Sequence, residues 1–199
     1  MDKLPKDMVI KLTEELSPQD FINFCASETS SNVIRICNMS ELWIKRLNKD
    51  FPLIVKEFPK VLDTSKKIYL EVFLRISKMA ETFTETVLRE YGNMRNFLNA
   101  SFKPFLYQLF YNLCSDAIIN VLKSRNKSEY EDDWLMQSVY DTYNMNVDNL
   151  AQYFPGTKYG IDSLYEFQNK WEEEIEYPLR AFVEEILALL EVNFRISDT

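Results

Sequence analysis

The apolar positions of this chain recur at three- and four-residue steps over most of its length, the spacing of amphipathic helices. Near the start, Leu4, Met8, Val9, Leu12 and Leu16 fall on one stripe when each residue turns the helix by about 100°, and Ile10 lies outside it. Pro5 suits the first turn of this helix, where its missing N–H would have no partner anyway. Ser17 then reads as an N-cap, with Pro18 at the first helical position and Asp20 at the third, an aspartate variant of the capping box. The second helix is predicted from Pro18 to about Ala26, burying Phe21, Phe24 and Cys25, before a polar, turn-like Ser27–Asn32. A third short helix spans about Val33 to Cys37. A fourth opens at Ser40-Glu41, sets Trp43 and Leu47 on one face, and ends near Asp50.

From Phe51 to Asp63 the pattern lapses and two prolines intervene, so an irregular connection and a module boundary are expected there. Beyond it Tyr69, Val72, Phe73, Ile76, Met79, Phe83 and Val87 mark a long helix capped by Thr64 or Ser65, with Gly92 placed to end it. Another helix starts near Ser101, tolerates Pro104 in its first turn, and carries Leu106, Leu109, Phe110, Leu113, Ala117, Val121 and Leu122. Ser128-Glu129-Tyr130-Glu131 reads as a capping box for a helix through Trp134, Leu135, Val139 and Tyr140, followed by a shorter helix from Val147 to Tyr153. The last pattern runs from Leu164, Phe167, Trp171 and Ile175 to Leu179, Phe182, Val183, Ile186, Leu187, Leu190 and Phe194, and Pro178 is expected to kink or split it. The expected fold is all-α: a helical module over residues 1–60, then a bundle of long amphipathic helices over 61–199.

Composition supports this reading. Hydrophobic residues make up 46% of the 199-residue chain and aromatics 14%, enough for a core and too much for disorder. With three glycines in all, hairpins and phosphate-cradling loops lack the positive-φ residues they depend on. The net charge of −8 is concentrated: residues 1–60 balance, 61–126 carry +3, and 127–199 carry −11. An acidic last third disfavours nucleic acid and anionic membrane surfaces, and reads first as a solvated face. No apolar run approaches the roughly 20 residues of a membrane span. Three separated cysteines, Cys25, Cys37 and Cys114, with no Cys-x-x-Cys pair and no apolar leader after Met1, fit a reducing, intracellular setting.

Catalytic and cofactor chemistry finds little to stand on. The chain has no histidine, which removes Ser-His-Asp and Cys-His nucleophile pairs and histidine zinc sites. No glycine-rich nucleotide loop occurs. The densest acids, Glu131-Asp132-Asp133 and Glu172-Glu173-Glu174 with Glu176, are consecutive helical residues that point in different directions. Tyr107, Phe110, Tyr111, Tyr140, Tyr143, Tyr153, Phe154 and Tyr159 lack the interleaved bases of a nucleic-acid stacking surface, and read as core with some tyrosines left for a partner. No catalytic residue, metal ligand or cofactor site is assigned, and the chain is not expected to be an enzyme.

The first fifty residues carry a family likeness. F-box modules open with Leu-Pro, an acid two positions after the proline, two apolar residues, a further apolar residue and a leucine. Here that series is Leu4-Pro5, Asp7, Met8-Val9, Leu12 and Leu16; Pro18, Asp20 and Phe21 then open the second helix, and Leu42-Trp43 closes the series. Many F-boxes carry Val-Cys-Arg-x-Trp in the middle, where this chain has Cys25-Ala26-Ser27 and Asn32 to Cys37. With Asp50-Phe51-Pro52 and Lys67-Ile68-Tyr69, it resembles the divergent F-box-like proteins of large DNA viruses.

The resemblance implies a protein that docks a Skp-type adaptor of a cullin–RING ubiquitin ligase. Leu4, Pro5, Met8, Val9, Leu12, Leu16, Phe21 and Trp43 would form or support the adaptor face, and the C-terminal helices would recruit an unknown protein target. It also implies the cytoplasm of a host cell. The alternative is a virion or assembly protein in which the F-box-like fold serves only as a packing module. Ile10 can either join the adaptor face or pack on the chain's own helices.

Overall fold

The computed structural model describes residues 6–27, 30–91, 102–124, 135–144 and 172–195, and every regular element among them is helical. The order is α1 (Lys6–Glu15), α2 (Pro18–Ala26), α3 (Ser31–Cys37), α4 (Ser40–Asp50), α5 (Pro52–Glu57), a 3-10 segment (Pro59–Thr64), α6 (Ser65–Tyr91), α7 (Phe102–Ser124), α8 (residues 135–144), a π-helical turn (Glu172–Glu176) and α9 (Tyr177–Arg195). The fold is all-α. Leu4, Pro5, Gly92, the Ser128 capping box, Trp134 and the helices expected over Val147–Tyr153 and through Leu164, Phe167 and Trp171 lie outside the described residues.

Local chemistry explains the helix starts. The Ser17 hydroxyl accepts the Asp20 N–H at 3.1 Å and donates to the Asp20 carboxylate at 2.7 Å, so Asp20 closes on the cap's hydroxyl. Ser30 caps α3 in the same manner by accepting from Val33 N, which starts that helix two residues before the expected Val33.

The connection expected to be irregular is instead α5 and the 3-10 segment, with Phe51, Ile54, Phe58 and Val61 buried. Pro52 and Pro59 each stand at the first position of a new helical segment, where proline needs no N–H partner. Two restarts in quick succession break the long-range periodicity while leaving each short segment helical.

The chain forms two compact units, Met1–Phe73 with Leu190–Thr199, and Leu74–Leu189. The first reaches past residue 60 because Tyr69, in α6, stands at the middle of its aromatic core. The Tyr69 ring meets Phe21, Trp43 and Phe51 at centroid distances of 5.7, 5.6 and 5.6 Å, and stacks on Phe73 at 6.4 Å. In the second unit Ile76, Ala80, Phe83 and Val87 of α6 and Leu106, Phe110, Leu113, Ala117 and Val121 of α7 are buried, with the Phe83 and Phe110 rings 5.4 Å apart. Asn120 donates to the Thr142 hydroxyl at 2.9 Å, linking α7 to α8, and Arg75 pairs with Glu185 at 2.9 Å. Pro178, expected to kink or split its pattern, stands at the second residue of α9, directly after the change from the π-helical turn. The turn just before α9 widens to π geometry, an accommodation for a ring that cannot donate to, and would crowd, the carbonyl four residues back.

Candidate functional site

Three of the residues singled out by sequence, Met8, Val9 and Leu12, lie on α1 with Leu16 just after it, and the structure divides them. Met8 and Leu12 are 52% and 53% exposed, Leu16 is half-buried, and Val9 and Ile10 are buried at 2% and 5%. Thr13 is buried too and donates its hydroxyl to the Ile10 carbonyl at 2.7 Å. The covered arc of α1 is therefore Val9, Ile10 and Thr13, rotated by about a third of a turn from the leucine and methionine stripe. The single-stripe reading is corrected in this respect: among the described residues of that set, only Val9 is buried. Ile10 packs inside its own unit.

Phe21 and Trp43 are both buried and serve as support. Their rings meet edge to face at 5.0 Å, and the Trp43 indole N–H donates to the Cys37 carbonyl at 2.7 Å. Lys66 adds a cation 5.4 Å from the Trp43 ring and donates to the Asn38 side-chain oxygen at 3.1 Å.

What positions α1 is a group of residues the sequence did not single out as a site. Arg46 is fully buried on α4. Its Nη1 donates to the carbonyls of Thr13 and Leu16, each at 3.1 Å, and its Nη2 meets the Asp50 carboxylate at 2.6 Å. The Tyr69 hydroxyl donates to the same Asp50 oxygen at 2.6 Å and accepts from Arg46 at 3.4 Å. The guanidinium carbon also lies 4.7 Å from the Phe21 ring centre. Lys49 donates to the Glu14 carbonyl, and Lys45 reaches the Glu14 carboxylate at 3.7 Å.

The end of a helix leaves its last carbonyls without internal partners. Here two cations of α4, Arg46 and Lys49, fill that role and match the negative end of the α1 dipole. The signal available in sequence was the Arg46–Asp50 spacing of one helical turn; the α1 carbonyls, some thirty residues away, left no trace in the pattern. Burial raises the Tyr69 phenol well above its ordinary value, the Asp50 charge and hydrogen bond raise it further, and Arg46 opposes the shift.

Outside this clamp, Met8, Lys11, Leu12, Glu14 and Glu15 line a shallow groove on the exposed side of α1. It has two apolar side chains, Met8 and Leu12, flanked by one basic and two acidic ones. Among the described residues no group of three or more His, Cys, Asp or Glu is placed to hold a metal, and no helix is long and apolar enough to cross a membrane.

The cysteines differ from the expected three separate thiols. Cys25 and Cys37 are joined in a disulfide with Cα atoms 5.5 Å apart, and Cys114 is free and buried. Neither spacing nor motif marks the pair, because their approach depends on how α2 and α3 fold against each other. No family model matches the chain, and neither a curated protein nor a solved structure is found to be similar to it.

Proposed function

We propose that the N-terminal unit is an F-box-like docking module that binds a Skp-type adaptor of a cullin–RING ubiquitin ligase, and that the helices after it hold a protein target. The observation that carries the proposal is the display of Met8 and Leu12 on a helix whose opposite side and far end are fixed. An apolar pair held in one orientation loses little conformational freedom on binding. About half of each residue remains to be covered by a partner, which contributes roughly 1 kcal/mol each, part of a micromolar affinity.

The test is calorimetric titration of the full chain with a purified Skp-type adaptor. Binding that falls by about 100-fold or more in Met8→Asp/Leu12→Asp, with helical circular dichroism unchanged, supports the proposal. Absence of binding by the unmodified chain at adaptor concentrations well above micromolar rejects it.

A second reading has its own support. Val9, Phe21 and Trp43, three of the residues that would form or support the adaptor face under the F-box resemblance, are buried in the unit's own core. That favours a virion or assembly protein in which the module is a packing unit. Under this reading Met8→Asp/Leu12→Asp leaves adaptor binding absent in both forms and instead reduces incorporation of the chain into particles or assemblies.

A further inference from the structure

The disulfide lies on the wall of a cavity of about 240 Å³ within the N-terminal unit, lined by Ile22, Cys25, Cys37, Trp43, Lys66 and Leu70 among others. Cys25, near the end of α2, is half-buried, and Cys37, at the end of α3, is buried. Both cysteines line the cavity, and Cys25 is the more exposed residue of the two.

The fold around the bond has other supports. Phe21 of α2 and Val33 and Ile36 of α3 are buried independently of the sulfurs. The Cys37 carbonyl is held by the Trp43 indole at 2.7 Å and by Lys66 at 3.4 Å. None of these contacts is made by the sulfurs themselves. A bridge of that kind, reachable and not required for the core, has the properties of a regulatory rather than a permanent disulfide.

We propose that Cys25 is a thiol-exchange site, and that Cys25–Cys37 is a reversible bridge read and reset by small thiols of the glutathione class. In the first step a glutathione thiolate attacks Cys25 Sγ; the S–S bond breaks, a glutathione–Cys25 mixed disulfide forms, and Cys37 leaves as a thiolate. A second glutathione thiolate attacks the glutathione sulfur of that mixed disulfide, releasing oxidised glutathione and the Cys25 thiolate. Two glutathione thiols are oxidised and one protein disulfide is reduced, and the two protons they shed go to the two cysteines.

Lys66 reaches into the same cavity and places a cation at its Cys37 side, which favours a thiolate leaving group and an anionic reductant. Cys114 takes no part: it is buried, and its thiol is pushed up by that burial. The structural effect of reduction is confined to the α2–α3 contact and to the indole that Cys37 holds.

The experiment uses the full chain purified without reductant and equilibrated in buffers of graded reduced-to-oxidised glutathione. Thiols are then blocked with N-ethylmaleimide in denaturant and counted by intact mass. One label per chain at the oxidising end, three at the reducing end, and a glutathione adduct that maps to Cys25 at intermediate ratios are expected. The reduced chain and Cys25→Ser/Cys37→Ser are expected to keep their helical circular dichroism, to unfold at a lower denaturant concentration, and to share an altered tryptophan emission. Three labels at the oxidising end would overturn the proposal by showing that the bridge does not form. One label throughout, or loss of helicity on reduction, would overturn it by making the bridge permanent.

Discussion

Arg46 and Asp50 meet at 2.6 Å across one turn of α4, with the Arg46 side chain fully buried and that of Asp50 only 10% exposed. Removing both charges from water is costly, and the pair is sustained because neither stands alone: the arginine also serves two α1 carbonyls and the aspartate also receives the Tyr69 hydroxyl. Arg46→Ala strands Asp50 and leaves the Thr13 and Leu16 carbonyls without this donor. A loss of about 3–5 kcal/mol in unfolding free energy is expected, measured by urea denaturation. Arg46→Met/Asp50→Leu, which removes both charges and keeps the volume, is expected to recover much of that loss.

The same cluster sets the response to alkali. A phenol whose ionisation is raised by folding is held neutral in the native state, so its contribution is complete below the unfolded value of about 10 and is lost as pH rises from there towards the folded value. Wild-type stability is expected to fall more steeply above about pH 10 than that of Tyr69→Phe. At neutral pH Tyr69→Phe is expected to be less stable by about 1.5–3 kcal/mol, the worth of a hydrogen bond to a charged group. Denaturation midpoints measured at several pH values for both proteins separate the two effects.

Neighbouring residues of α1 should behave in opposite ways. Ile10→Ala opens a hole in the core and is expected to cost about 2–5 kcal/mol. Leu12→Ala, two residues on, removes an exposed side chain and is expected to stay within about 0.5 kcal/mol of wild type. Thermal or urea unfolding of the two variants checks the rotation of the helix directly.

Trp43→Phe keeps an aromatic ring among Phe21 and Tyr69 but deletes the donor to the Cys37 carbonyl. A destabilisation of about 1–3 kcal/mol is expected from the lost donor, and its size can be read from urea midpoints.

In the second unit, Phe83 and Phe110 form a pair whose coupling can be measured by itself. A double-mutant cycle with alanine at each position is expected to return about 0.5–1.5 kcal/mol beyond the burial of the two rings. A coupling near zero would mean that the rings contribute area alone.

Much of the fold was legible from spacing and caps. Ser17, Pro18 and Asp20 marked the start of α2 because a cap is a local arrangement of a few residues. The long stripe of α6 was legible because it repeats for many turns. Less local features were hidden. Apolar periodicity identifies a helix but does not say which part of a broad stripe is covered, so exposed Met8 and Leu12 could not be told from buried Val9, and Ile10, off that stripe, could not be assigned to the core. Charged Arg46 could not be assigned to the interior, since what permits its burial comes from α1 and from Tyr69. The Cys25–Cys37 bridge depended on the same kind of long-range placement.

The clamp on α1 also makes the two ends of the first unit's sequence interdependent. A chain trimmed to begin at Ser17 would lose ten helical residues and, with them, the lid over a guanidinium that has no aqueous exposure of its own. Arg46 would then draw water toward the Phe21–Trp43–Tyr69 cluster, wetting the aromatic interior from one side. Any shortened version of this protein, whether made by a protease or by cloning, is therefore safer cut elsewhere than between α1 and α2.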